Sequence, residues 1–245
     1  MSNPIGEPIP LLSLAEFESL DAAVTLRVNG LIDGRRRDDL LNGLLTVNGP
    51  RRKITVSGSL LGEIAAQVGG ALIGLFVPPS VDLYNVPEGT YVVIGGLLPM
   101  CVEPQAAAAT AVLDQMSPES LMTMLTSAEV ARGTRVGQVM LNGRAADHYV
   151  IDGAQFLAAA QASDDPQLRA FADGLWSAED ADLYVDVASG YPVAYHGRFS
   201  GAFEPLKFTG QFELQTELTG VNSATPVVLP PNCEQAIKFG GGPAV

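Results

Sequence analysis

Apolar and polar residues alternate with a period of two along most of the chain, the pattern of strands with one dry and one wet face. Val24, Leu26, Val28 and Ile32 fall on one side of the first such run, and Thr25, Arg27 and Asn29 on the other. Asp33-Gly34 predicts a turn, after which Leu41, Leu45 and Val47 share a face. Asn48-Gly49-Pro50 turns the chain again, and Ile54, Val56 and Leu60 then alternate with Thr55, Ser57 and Ser59. Long strands joined by tight turns predict an antiparallel meander.

Later segments repeat the theme. Val92 and Ile94 sit in a strand before Gly95-Gly96, and residues 136–141 and 146–151 flank the hairpin dipeptide Asn142-Gly143. Leu183, Val185 and Val187 alternate with Asp182, Tyr184 and Asp186, and Ser189-Gly190 turns into a strand over 191–199. The last strand sets Leu206, Phe208, Phe212, Leu214 and Leu218 against Lys207, Thr209, Gln211, Glu213, Gln215 and Glu217. Helical grammar interrupts the strands. Ser13-Leu14-Ala15-Glu16 reads as a capping box for a helix ending near Asp21. Ser117-Pro118-Glu119 opens a second helix carrying Leu121, Met124 and Leu125. Residues 154–162 form a third, and Asp165-Pro166 starts a fourth in which Leu168, Phe171, Leu175 and Trp176 share a face. The sum is roughly nine to eleven strands with a few short helices, in one domain over 13–235 between flexible ends at 1–12 and 236–245.

Residues 60–79 stand apart. They approach the length of a membrane span, about 20 apolar residues, but contain Glu63, Gln67, four glycines and a Pro-Pro end. A buried helix or strand and a compliant apolar flap over a cavity or lipid surface are the two readings left open.

Composition narrows the function classes. The formal net charge is −13, which argues against nucleic acid as a partner, since phosphate binding needs a basic footprint. Apolar residues reach 47% and charged residues only 17%, so the chain folds rather than staying disordered. Positive charge gathers at Arg35-Arg36-Arg37 and Arg51-Arg52-Lys53. These flank one strand, roughly 40 Å apart at about 3.3 Å per residue, and form two patches, each able to meet anionic head groups or to keep a strand edge soluble. Cys101 and Cys233 fit no metal spacing. A disulfide between them is expected, with two buried thiols as the alternative; bonded, they would close a loop contributing about 4–5 kcal/mol in the chain-entropy model.

Catalytic motifs are sparse. Neither a Gly-Lys-Ser/Thr phosphate loop, a Gly-x-Ser-x-Gly elbow nor a strand-linked Gly-x-Gly-x-x-Gly occurs. The two histidines, His148 and His196, fall in predicted strands. Asp147-His148-Tyr149 resembles acid–base equipment, but adjacent strand residues face opposite ways, so His148 reads as a strand histidine bonded to a neighbour. The acidic pairs Asp38-Asp39, Asp164-Asp165 and Glu179-Asp180 lack the spaced oxygens of a calcium loop and read as solvated surface. No metal and no cofactor is expected.

The order of elements, from Leu20-Asp21 running into Ala23-Val24-Thr25-Leu26-Arg27-Val28-Asn29-Gly30, through Cys101, the Ser117-Pro118-Glu119 helix and the Asn142-Gly143 hairpin, to Val221-Asn222 and Pro230-Pro231-Asn232-Cys233, resembles the LolA/LolB-like lipoprotein-carrier superfamily, especially LppX/LprG-type bacterial envelope proteins. The resemblance covers roughly residues 13–235 and rests on order and turn placement. It implies a mainly β (α+β) fold: a curved, incompletely closed antiparallel half-barrel with helices plugging its concave side. It further implies non-enzymatic binding of lipid or lipoprotein acyl chains, for carriage or sensing, in an extracytoplasmic envelope location. Such members are commonly tethered through an N-terminal lipidated cysteine. The first residues, Met1-Ser2-Asn3-Pro4, show neither a secretion signal nor a nearby cysteine, so a leader absent from this sequence is expected.

Residue patterning supports the same picture. Long strands offer more dry face than a few helices cover, leaving room for aliphatic guests at about 0.8 kcal/mol per buried CH₂. From the first three strands the expected cavity lining is Val24, Leu26, Val28, Leu45, Val47, Ile54 and Val56. The apolar segment adds Leu72 and Phe76, the helices Leu121, Leu125 and Phe171, and the last strand Phe208 and Phe212. Lipid, acylated protein and a membrane surface are the expected partners. The competing readings are an extracytoplasmic sensor or protein-interaction module on the same scaffold and, more remotely, a hydrolase using His148.

Overall fold

The structure, a computed structural model, describes residues 6–11, 18–61, 80–95, 100–104, 124–127, 130–203, 207–222 and 225–239. Three 14-residue strands dominate: β2 (Ser19–Ile32), β3 (Arg35–Asn48) and β13 (Phe208–Val221). The first half adds β1 (Glu7–Pro8), β4 (Arg51–Ser57), β5 (Ser80–Val86), β6 (Gly89–Ile94) and β7 (Met100–Pro104). The second half adds β8 (Arg132–Leu141), β9 (Arg144–Ile151), β10 (Leu175–Ala178), β11 (Ala181–Asp186), β12 (Pro192–Phe203) and β14 (Ile237–Phe239). Two α-helices, α1 (Gly153–Gln161) and α2 (Pro166–Asp173), and a 3₁₀ turn at Pro231–Gln235 complete the described elements.

Hydrogen-bonded neighbours run β1-β8-β9-β11-β12-β13-β2-β3-β4-β5-β6-β7-β14, with β10 beside β12. The path has two ends, so the sheet is open and not a closed barrel. Registers are antiparallel from β8 to β13 and from β3 to β7. β14 lies parallel to its neighbour, β7. The mainly β, open antiparallel architecture is the expected one, but with fourteen strands among the described residues. The surplus comes from β1, β10 and β14, of two to four residues each, too short to show a period of their own. Two of them, β1 and β14, lie in the stretches expected to be flexible ends.

The turns follow residue chemistry. Asp33-Gly34 and Asn142-Gly143 both have positive φ at their two central residues (48° and 76°; 49° and 76°), the primed geometry that matches strand twist and suits Asp, Asn and Gly. Asp152 and Asp165 cap α1 and α2 by accepting from the backbone N–H of Gln155 and Gln167 at 2.8 Å, as N-cap carboxylates do.

Four local expectations need correction. Most of the capping-box helix falls at 12–17, outside the described residues, but Ser19, Leu20 and Asp21 are strand. Leu20 and Ala22 are buried and alternate with half-exposed neighbours, and Ser19 O accepts from Asn222 N; the ladder captures the segment. Leu60 does not continue β4, because Gly58 at φ 115° breaks the strand and Leu60 and Leu61 begin a buried helical turn. Leu175 and Trp176 do not extend α2. The Gly174 carbonyl accepts from Ala202 N at 2.8 Å, so β12 draws the chain into the sheet as β10. Val187 lies past the end of β11, half-exposed in a turn.

Contacts cluster into two compact units. Unit 1 comprises Met1–Glu16, Val24–Asp39 and Leu121–Thr219; unit 2 comprises Phe17–Ala23, Leu40–Ser120 and Gly220–Val245. The core of unit 1 groups the rings of Phe156 (α1), Phe171 (α2), Phe199 (β12), Phe208 and Phe212 (β13), with centroids 5.2–6.4 Å apart. A row of glycines, Gly174, Gly201, Gly210 and Gly30, crosses the same unit. A Cβ at Gly30 would lie 2.3 Å from the Thr209 carbonyl, and one at Gly201 2.5 Å from that of Gly174; only the bare backbone permits such approach. The core of unit 2 packs Tyr84, Val86, Val93 and Val227 around Cys101 and Cys233. These cysteines form a disulfide closing a 132-residue separation. From that bond β7 and β14 leave in the same direction, pairing Val102 with Ile237.

Candidate functional site

Strand alternation sorts the side chains of unit 1 into an outer polar face and an inner apolar one, and both histidines lie on the outer face. Asp182 on β11 stands directly opposite His196 on β12, and Tyr184 opposite His148 on β9. Cross-strand neighbours on one face are close enough to interact, and here they form a ladder. His148 Nε2 lies 2.7 Å from Asp182 Oδ1, with its ring stacked 4.7 Å from that of Tyr184. His196 Nδ1 lies 3.9 Å from the other Asp182 oxygen, and its Nε2 2.8 Å from Glu213 Oε1. Arg198 reaches both Glu213 and Glu179, at 3.6 and 3.8 Å.

Burial opposes charge on Glu213, but hydrogen bonds from Gln215 and His196 and the nearby Arg198 outweigh it and hold its carboxyl below the usual value. Burial, and then Asp182, raise the Tyr184 hydroxyl. Asp147, the sequence neighbour of His148, is engaged elsewhere. It accepts from Arg135 at 2.6 Å and Gln138 at 3.3 Å, and the Arg135 bond keeps it ionised to lower pH. His148 and Asp147 thus do not share a partner, as the alternation implied. Each imidazole spends a ring nitrogen on a carboxylate, the arrangement of a cross-strand pair on a wet sheet face. Among the described residues no group of three or more His, Cys, Asp or Glu is placed to hold a metal ion.

The inner face carries the residues expected to line a cavity, divided between the units. In unit 1, Val24, Val28, Leu125 and Phe208 are buried, and Leu26, Phe171 and Phe212 half-buried. Phe171, Phe208 and Phe212 meet in the ring cluster. In unit 2, Leu45, Val47, Ile54 and Val56 are all buried, with Ile54 between Leu45 and Leu83 in register. Leu72, Phe76 and Leu121 lie outside the described residues, as do 62–79 of the apolar segment. Sequence reading missed Phe156, Phe199 and Tyr195. The last two do alternate along 193–201, but nothing in the sequence marks them as the centre of the cluster.

The two basic clusters differ. Arg51 pairs with Glu88, and Lys53 with Asp82 at 3.0 Å, over the Tyr84 ring. Arg35 and Arg36 are exposed at the start of β3, beside the turn where Lys207 meets Asp33 at 3.2 Å. The clusters fall in different units.

No protein-family model matches the chain, and no curated protein matches it. Among solved structures it is similar to LprF from Mycobacterium bovis, with a TM-score of 0.43 and 12% identity over 89% of this chain and 90% of that one. It is also similar to a DUF1329 family protein from Desulfovibrio piger, with a TM-score of 0.24 and 8% identity over 84% and 85% of the two chains. At these scores neither likeness assigns a role to the chain.

Proposed function

We propose that the protein binds lipid or lipoprotein acyl chains without catalysis, for carriage or sensing in the bacterial cell envelope. The observation that carries this reading is the strand patterning. β2, β13 and the second half of β3 each bury one apolar face, and apolar contact of that kind suits an aliphatic chain. The Cys101–Cys233 bond supports an oxidising, extracytoplasmic location, and the family resemblance of the sequence supports the same assignment. Exposed Arg35 and Arg36 fit a membrane surface with anionic head groups better than the 51–53 cluster, two of whose cations already hold carboxylates.

Native mass spectrometry of the purified protein tests the reading. Co-purifying lipid, or stoichiometric uptake of a fluorescent fatty acyl probe, is the expected result. Repeated absence of both would overturn it. A stoichiometric protein partner recovered in place of lipid would favour the interaction module instead.

A further inference from the structure

The interior of unit 1 contains a polar atom that its apolar filling leaves unexplained. Tyr195 on β12 is 1% exposed, and among the described residues its hydroxyl has no hydrogen-bond partner. Its side chain falls on the buried face of the strand with Val193, Gly197 and Phe199. The ring leans along the strand over Gly197. A Cβ built there would lie 2.7 Å from Tyr195 Oη, 2.9 Å from its Cε1 and 3.1 Å from a Phe199 ring carbon. Gly197 therefore makes room for the tyrosine, and the hydroxyl is carried toward the side on which Phe156, Phe171 and Phe212 gather around Phe199. Across the strands Tyr195 stands opposite Leu183 and Thr216, both buried.

Burial raises the pKa of this hydroxyl, so it stays a neutral donor. A phenylalanine would fill the same space without the cost of a buried hydroxyl lacking a partner. A partner from outside the chain resolves that cost. It must itself be uncharged, because apolar surroundings disfavour a carboxylate, and it must bring apolar surface to lie against the rings.

We propose that Tyr195 is the polar anchor of an acyl site in unit 1, its hydroxyl donating to the uncharged carbonyl of an ester-linked or protonated acyl guest whose chain packs against the phenylalanine cluster. The inference rests on the acyl-binding reading above and locates its polar contact.

The test compares the unmodified protein with Tyr195→Phe, using two fluorescent probes: methyl cis-parinarate, which carries an ester carbonyl, and diphenylhexatriene, a hydrocarbon. The variant is expected to bind the ester about five- to tenfold more weakly, the worth of one hydrogen bond, and the hydrocarbon equally. The infrared band of a ¹³C-labelled ester carbonyl should lie at lower frequency in the unmodified protein and return to the free position in the variant. Equal ester affinity in both proteins with a free-position carbonyl band overturns the anchor while leaving acyl binding intact; a buried water on the hydroxyl would give this result. Failure of the unmodified protein to take up either probe removes the acyl reading and the anchor together. Should the variant not fold, the carbonyl band in the unmodified protein decides alone, a free-position band overturning the anchor.

Discussion

Units 1 and 2 solve the same problem, a sheet with one buried face, by different means. Unit 1 lines its interior with five phenylalanine rings and packs two capped helices beside the sheet. Unit 2 closes a largely aliphatic interior around a covalent bond between Cys101 and Cys233. Ring packing contributes through area and shape, and every atom removed leaves a void. A disulfide contributes mainly by restricting the unfolded chain, so its worth depends on loop length more than on fit. The units should therefore respond to different insults.

The largest expected effect is on unit 2. Replacing Cys101 and Cys233 by serine should cost at most about 4–5 kcal/mol, the loop-entropy figure when the whole enclosed loop unfolds. Hydrogen exchange should speed up in β5, β6 and β7 while α1, β11 and β12 keep their protection; uniform loss of protection would show the two units to be one cooperative body. Next, Phe199→Ala should cost about 3–5 kcal/mol by opening a cavity among the rings, read by denaturant unfolding with protection lost first in β12 and β13. Gly30→Ala should follow at about 1–3 kcal/mol, since its Cβ has no space against the Thr209 carbonyl; an unchanged midpoint would show that the glycine row can spread. Asp165→Ala should cost about 1 kcal/mol through the lost cap of α2, visible as a small fall in melting temperature.

Acid sharpens the same contrast. Burial opposes charge on Asp186, but its bonds from the Ser189 hydroxyl and from the backbone N–H of Ser189 and Ala188 prevail and lower its pKa. Glu213 is lowered likewise. A carboxyl depressed by folding contributes stability that is present above its unfolded pKa and lost as pH falls through the folded one. Unit 1 should therefore lose stability below about pH 4, and Asp186→Asn should flatten that slope. A melting-temperature profile from pH 7 to pH 2.5 measures both.

Legibility in the sequence followed the range of the interaction. The hairpins at Asp33-Gly34 and Asn142-Gly143 were visible because two adjacent residues and their φ preferences decide them. Three of the boundaries between units, at 23/24, 39/40 and 219/220, left no linker signal, because they fall inside β2, β3 and β13 and alternation continues across them. The outer face of His148, Asp182, His196 and Glu213 was half visible. Parity gave each residue its side of a strand, but only register placed Asp182 opposite His196, and register joins residues far apart in the chain. Leu175 and Trp176 misled for the same reason: helical spacing was present locally, and a backbone bond from Ala202 to Gly174 overrode it.

What the amino-acid order determined by itself was the mainly β character, the dry and wet sides of each strand, the turns and the helix caps, because each depends on neighbours within a few positions. Which strands became neighbours, which of the phenylalanines met, and that one tyrosine hydroxyl was enclosed without a partner among the described residues were decided only when distant segments packed. Burial is a property of the assembled interior, and no residue carries it in isolation.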